Sequence, residues 1–143
     1  MLSVALPLAA ADLLVKAAEP TATWAFHERS YGWLVLSLAM VAGMVCVARV
    51  PSVLVAPAAG VLAGGLLGNC FSAAWNDMQV PNPLVLSGDR GFVAFNLADV
   101  WALAGIFLLV LALGTWLIRN RALIPAPAEV RATRGRAFGR LFD

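Results

Sequence analysis

Six side chains in this sequence have the types and spacing to do chemistry together: Asp12, Lys16, Asn69, Ser72, Asn96 and Asp99. Asp12 and Lys16 stand four apart, so on a helix they share a face and a carboxylate can pair with an ammonium. Asn69 and Ser72 are three apart, as are Asn96 and Asp99, and each pair shares a face in the same way. All six lie inside, or just at the edge of, apolar stretches. A charge in a membrane span costs roughly 2.5–3.5 kcal/mol on insertion scales, and such residues usually face the bundle interior and often mark a site. Two roles stay open for Asp12 and Lys16. The pair locks the first helix to its neighbours, with Lys16 reaching outward, or it takes a direct part in a site. A serine hydroxyl such as that of Ser72 needs a base to become a nucleophile. Lys16 is the one group placed to act as that base, and pairing with Asp12 is the reading its spacing favours. His27, the only histidine, lies beside Glu28 and Arg29 and reads as a solvated loop residue. With no second His and no paired Cys, a metal site has no ligand set, and no cofactor is implied.

The elements that carry these residues are membrane spans by composition. Of the 143 residues 62% are apolar and 13% charged, against about half and a quarter in a soluble domain, and the mean hydropathy is +0.85. This leaves no room for a separate soluble domain and no basis for nucleic-acid binding. Four stretches are long and apolar enough to span: roughly Leu2–Ala18, Tyr31–Ala48, Val53–Ala74 and Phe92–Ile118. The first lacks the basic leader of a signal peptide and is broken by Asp12 and Lys16, so it reads as a retained span. Arg49, Arg119, Arg121, Arg131, Arg134, Arg136 and Arg140 fall on one side, with Arg29 and Arg90 on the other. The positive-inside rule then puts both termini in the cytoplasm and the connections 19–30 and 75–91 outside. Residues 1–118 form the membrane domain, and 119–143 a basic tail suited to anionic headgroups.

In that topology Asp12, Lys16, Asn69, Ser72, Asn96 and Asp99 fall in one extracytoplasmic layer, which predicts a polar pocket between helices. Gly60, Gly64 and Gly68, with Gly65 beside them, make a small-residue ridge on the third span that lets another helix approach closely. Trp24, Phe26 and Tyr31 suit an interfacial aromatic belt. Trp75–Gly91, broken by Pro81, Pro83, Gly88 and Gly91, reads as an irregular loop. Cys46 and Cys70 lie at different depths and read as apolar fillers rather than a disulfide.

Gly64-Gly65-Leu-Leu-Gly68-Asn69 and Phe95-Asn96-Leu97-Ala98-Asp99 resemble the two motifs of lipoprotein signal peptidase (signal peptidase II). In that family they end the third helix and open the fourth of four spans. Asp12-Leu-Leu-Val-Lys16 resembles its Asp-x-x-x-Lys, and Arg29-Ser30-Tyr31-Gly32 resembles its Arg-Asn-x-Gly. The similarity covers about Leu2–Ile118. It implies an all-α, four-helix membrane protein of the bacterial cytoplasmic (inner) membrane. It also implies an aspartic-peptidase site that cuts lipid-modified prolipoproteins with two carboxylates sharing a proton. Asp99 matches one member of that dyad. The other position is Ser72, followed by Ala73 where the family has Arg, and the 19–30 connection is shorter than the family's extracytoplasmic platform. Asp77 and Asp89, in the connection that follows, are the candidates to replace the missing carboxylate.

These departures lead to the expectation of a catalytically inactive relative. It would keep a pocket lined by Asn69, Asn96, Asp12, Lys16 and Arg29 and act as an accessory or binding subunit in a larger membrane complex. Its partners would be membrane lipids, other membrane subunits and a lipoprotein or lipopeptide. A divergent but active prolipoprotein peptidase is the alternative, and a lipid- or lipopeptide-binding module is a third.

Overall fold

The computed structural model describes residues 1–89 and 91–123. Helix α1 spans Leu2–Ala18, α2 Tyr31–Val47, α3 Val55–Trp75 and α4 Leu97–Arg119. Strands β1 (Phe26–Glu28), β2 (Gln79–Pro81), β3 (Leu84–Gly88) and β4 (Gly91–Phe95) lie in the connections, with short 3₁₀ turns at Thr23–Ala25 and Arg121–Leu123. Two helices, α3 and α4, are long and apolar enough to cross a membrane; α2 is a shorter apolar helix. Met1–Leu113 forms one compact unit, and the chain from Gly114 belongs to a second.

Helix α3 is the centre of the first unit. Most of its residues are buried, and Val55, Ala58, Ala59 and Leu62 pack with Leu109 and Ala112 of α4. Its glycines allow this on two sides. A Cβ on Gly60 would meet Met1 O at 2.7 Å, and one on Gly64 would meet Leu8 Cβ at 2.9 Å, so both let α1 approach. A Cβ on Gly65 would meet Ala98 O and Ala102 N of α4, each at 2.5 Å. Gly68 sits where the two neighbours converge, 2.8 Å from Asp12 Oδ2 and 3.2 Å from Ala98 Cβ on the same construction. The ridge expected from the sequence therefore serves two partner helices. Pro57 falls in the first turn of α3, where a missing N–H does no harm.

The connections correct the reading of an all-α chain with an irregular loop. β1 pairs antiparallel with β2, placing His27 opposite Val80, and β3 pairs with β4 as a hairpin from Leu84↔Phe95 to Gly88↔Gly91. Phe92–Phe95, expected to open the last span, is strand, and α4 begins at Leu97. Asn96 is the reason: its side chain caps α4, and a capping residue is not itself helical. Helix α3 ends with Met78 N donating to Ala73 O at 2.8 Å, and Asp77 sits at φ 47°. This is a Schellman-type stop with Asp where glycine is usual. Ser30 caps α2 by accepting from Trp33 N at 3.1 Å. Cys46 and Cys70 are free thiols. The Arg-rich run from Arg131 to Arg140, and Arg90, lie outside the described residues.

Candidate functional site

The site is built on the first turn of α4. A helix start exposes backbone N–H groups that need acceptors, and side chains from two helices supply them. Asp99 N donates to Asn96 Oδ1 at 3.0 Å, and Asn96 N donates to Asp99 Oδ2 at 3.2 Å. This reciprocal pair is a capping box written as Asn-x-x-Asp. Between them, Ala98 N donates to Asp12 Oδ1 of α1 at 2.8 Å. Both carboxylates thus lie at the positive end of the α4 dipole. The fully buried Asp12 is held there by Lys16 Nζ, 2.7 Å from Asp12 Oδ2, which takes no other partner.

Asn69 joins the two halves. Its Oδ1 accepts from Lys16 Nζ at 2.8 Å, and its Nδ2 donates to Asp99 Oδ1 at 2.9 Å. A side chain able both to accept and to donate is needed there, and an amide does both. Asp12, Lys16, Asn69, Asp99 and Asn96 therefore form one continuous network, as their spacing predicts. The outward-reaching Lys16 of the locking role is corrected: its side chain is 4% exposed and turned inward. With Nζ committed to Asp12 and Asn69, Lys16 is poorly placed to act as a free base.

Ser72 and Arg29 stand apart from this network. Ser72 is buried, and its Oγ lies 3.5 Å from Asn76 Nδ2, which also donates to Ser72 O at 3.0 Å. Among the described residues Ser72 makes no bond to Asp99. A cavity of about 340 Å³ adjoins it, with Lys16, Ser72, Asn76 and Glu19 as polar lining and Leu13, Phe26 and Trp75 among the apolar residues. Asp99 is not part of that lining. The Arg29 guanidinium lies over the Trp33 ring at 5.0 Å, and its buried Nε has no hydrogen-bond partner among the described residues. Asp77 is fixed in the helix stop, and Asp89 belongs to a separate, more open cleft at the tip of the β3–β4 hairpin. Neither joins the network.

The chain shares its fold with a solved bacterial membrane enzyme. The two align with a TM-score of 0.60 over 85% of this chain and 89% of that one, at 15% identity. That structure was determined by the in meso method at 2.3 Å resolution. No protein-family model matches the chain, and no curated protein matches it. Together with α3 and α4, the likeness supports membrane-protein character.

One buried polar residue bonded to the site escaped the sequence reading. Asn82, 1% exposed, accepts from Asn96 Nδ2 on its Oδ1, donates to Ala94 O at 3.4 Å, and lies 3.0 Å from His27 Nδ1. Between Pro81 and Pro83 it reads only as a turn residue. The signal that places it is the pairing of β1 with β2, which spans more than fifty positions of sequence and leaves no periodic trace.

Proposed function

We propose that this protein is a catalytically inactive, signal-peptidase-II-like integral membrane protein that serves as an accessory or binding subunit of a larger membrane complex. It would cross the bacterial inner membrane four times, with both termini in the cytoplasm. The observation that carries this reading is the state of Asp99. Its Oδ1 accepts from Asn69 and its Oδ2 from the Asn96 backbone. The residue three after Asn69, where a dyad partner would stand, is Ser72, engaged with Asn76. An aspartic peptidase needs one carboxylate to take a proton from water and a second to hold one. Asp12, the other buried acid of the site, is neutralised by Lys16 and bound to the α4 backbone. The network therefore works as a lock between α1, α3 and α4.

The cavity beside Ser72, lined by both apolar and polar groups, favours a second reading in which the protein holds a lipid or lipopeptide without cutting it. Affinity capture of the tagged protein in mild detergent tests the subunit proposal. A stoichiometric membrane partner supports it, and elution of the protein alone overturns it.

A further inference from the structure

The α4 cap does not end at Asn96. Asn96 Oδ1 must face the Asp99 N–H, because the helix N-terminus offers only donors. That turns Asn96 Nδ2 toward Pro81 O and Asn82 Oδ1. Asn82 in turn must present its oxygen to Asn96, so its Nδ2 faces Ala94 O and His27 Nδ1. The orientation of each amide is thus dictated by the one before it, starting from a backbone N–H that cannot be reversed. At the end of the chain stands a ring nitrogen that can only accept. His27 Nδ1 must therefore be unprotonated, with the proton on Nε2.

We infer that His27 is a proton-linked switch for the Asp99 site: neutral, it closes the relay His27–Asn82–Asn96–Asp99; protonated, it opens it. Imidazole changes charge in the range of about pH 5 to 8, and His27 is exposed to the medium its loop faces, while Asn82 and Asn96 are buried. Protonation at Nδ1 sets a donor against the Asn82 donor. Either the ring swings away and leaves Asn82 Nδ2 with only its long contact to Ala94 O, or Asn82 turns over and puts its NH₂ against that of Asn96. Both weaken the capping box that holds Asp99.

The charges around His27 leave this relay as the ring's specific polar contact. On β1, Glu28 alternates to the opposite face, and the Arg29 guanidinium lies over Trp33. The pairing strand β2 brings Val80 opposite and no charged residue. The turn before β2 carries the exposed Asp77, the hairpin beyond Ala94 carries Asp89 at its tip, and Lys16 and Glu19 line the cavity that Phe26 lines from the neighbouring strand position. The linkage does not depend on whether the site is catalytic.

A single histidine makes the test direct. The full chain, purified without a histidine tag, is placed in detergent micelles, and long-range ¹H–¹⁵N spectra of the imidazole are recorded from pH 8 to pH 5 with the Asp99 backbone amide followed in parallel. At pH 8 the ring should carry its proton on Nε2, and on acidification the Asp99 amide should shift together with the ring. Asn82→Asp offers acceptors to both neighbours and should move the proton to Nδ1 at the same pH. Asn82→Ala should abolish the Asp99 response while the ring still titrates. If Asn82→Ala does not fold, the native titration and the near-isosteric Asn82→Asp carry the decision. A native Nδ1–H tautomer, an Asp99 amide indifferent to ring protonation, or an Asn82→Asp ring still protonated on Nε2 overturns the switch.

Discussion

Gly65→Ala is the substitution for which the structure supplies a magnitude. The added Cβ would lie 2.5 Å from Ala98 O and Ala102 N and 3.0 Å from Ala102 Cα, all of them α4 backbone that cannot rotate aside. Ordinary contact begins near 3.4 Å, so α3 and α4 must separate by roughly 1 Å. The same movement stretches the Asn69–Asp99 bond of 2.9 Å across that interface past hydrogen-bond range. Overpacking costs about 1–3 kcal/mol, and a bond to a charged group contributes about 1.5–3 kcal/mol. Replacing a helical glycine returns at most about 1 kcal/mol. The net expectation is a loss of about 1.5–5 kcal/mol, read as the change in unfolding free energy from reversible denaturant titration in micelles, followed by far-UV circular dichroism. Gly43→Ala is the control, because a Cβ there meets nothing within 4 Å, and it should be neutral or slightly stabilising. Gly105→Ala would drive a Cβ into the Leu62 backbone on the same interface, so the double variant should cost less than the sum of the two singles. A Gly65→Ala protein within about 0.5 kcal/mol of the parent would refute the close α3–α4 approach on which the site rests.

Three further outcomes follow, two from the network and one from the stop of α3. Lys16→Met leaves Asp12 as a buried, unpaired charge and should destabilise by about 3–5 kcal/mol, whereas adding Asp12→Asn should recover much of that loss in the same titration. Asn96→Ala removes the cap of α4 and the acceptor for Asp99 N, for a loss of about 1–2 kcal/mol by the same measurement. Asp77→Gly relieves a left-handed residue at the end of α3 and should raise stability by about 1 kcal/mol, which a catalytic Asp77 would not allow without loss of function.

The helices were legible because long apolar stretches announce themselves by length and composition, and among the described residues α3 and α4 are those long and apolar enough to cross a membrane. The expected first span coincides with α1, and the second and third match α2 and α3 within two residues at each end. Of the six residues expected in one polar layer, Asp12, Lys16, Asn69, Asn96 and Asp99 meet and Ser72 does not; the spacing of four pairs Asp12 with Lys16 on one helical face, whereas Asn96 and Asp99 meet as a helix cap. The connections were hidden for a physical reason. Leu84–Leu86 and Phe92–Phe95 are short runs with apolar residues at nearly every position, so periodicity cannot tell strand from the start of a helix. Once Asn96 is recognised as a cap, Phe92–Phe95 can no longer be helix, and Asn-x-x-Asp was the pattern that pointed to it. Asn82 was invisible because its importance arises from strand pairing across the chain.

In the function proposed above, Asp99 holds α4 in place without cutting a peptide bond. The most direct measurement incubates the purified protein with a lipid-modified prolipoprotein in micelles and follows the signal peptide by mass spectrometry, with Asp99→Asn in parallel. The native protein and Asp99→Asn should both release no more peptide than a protein-free control. Cleavage by the native protein that disappears in Asp99→Asn would contradict the proposal.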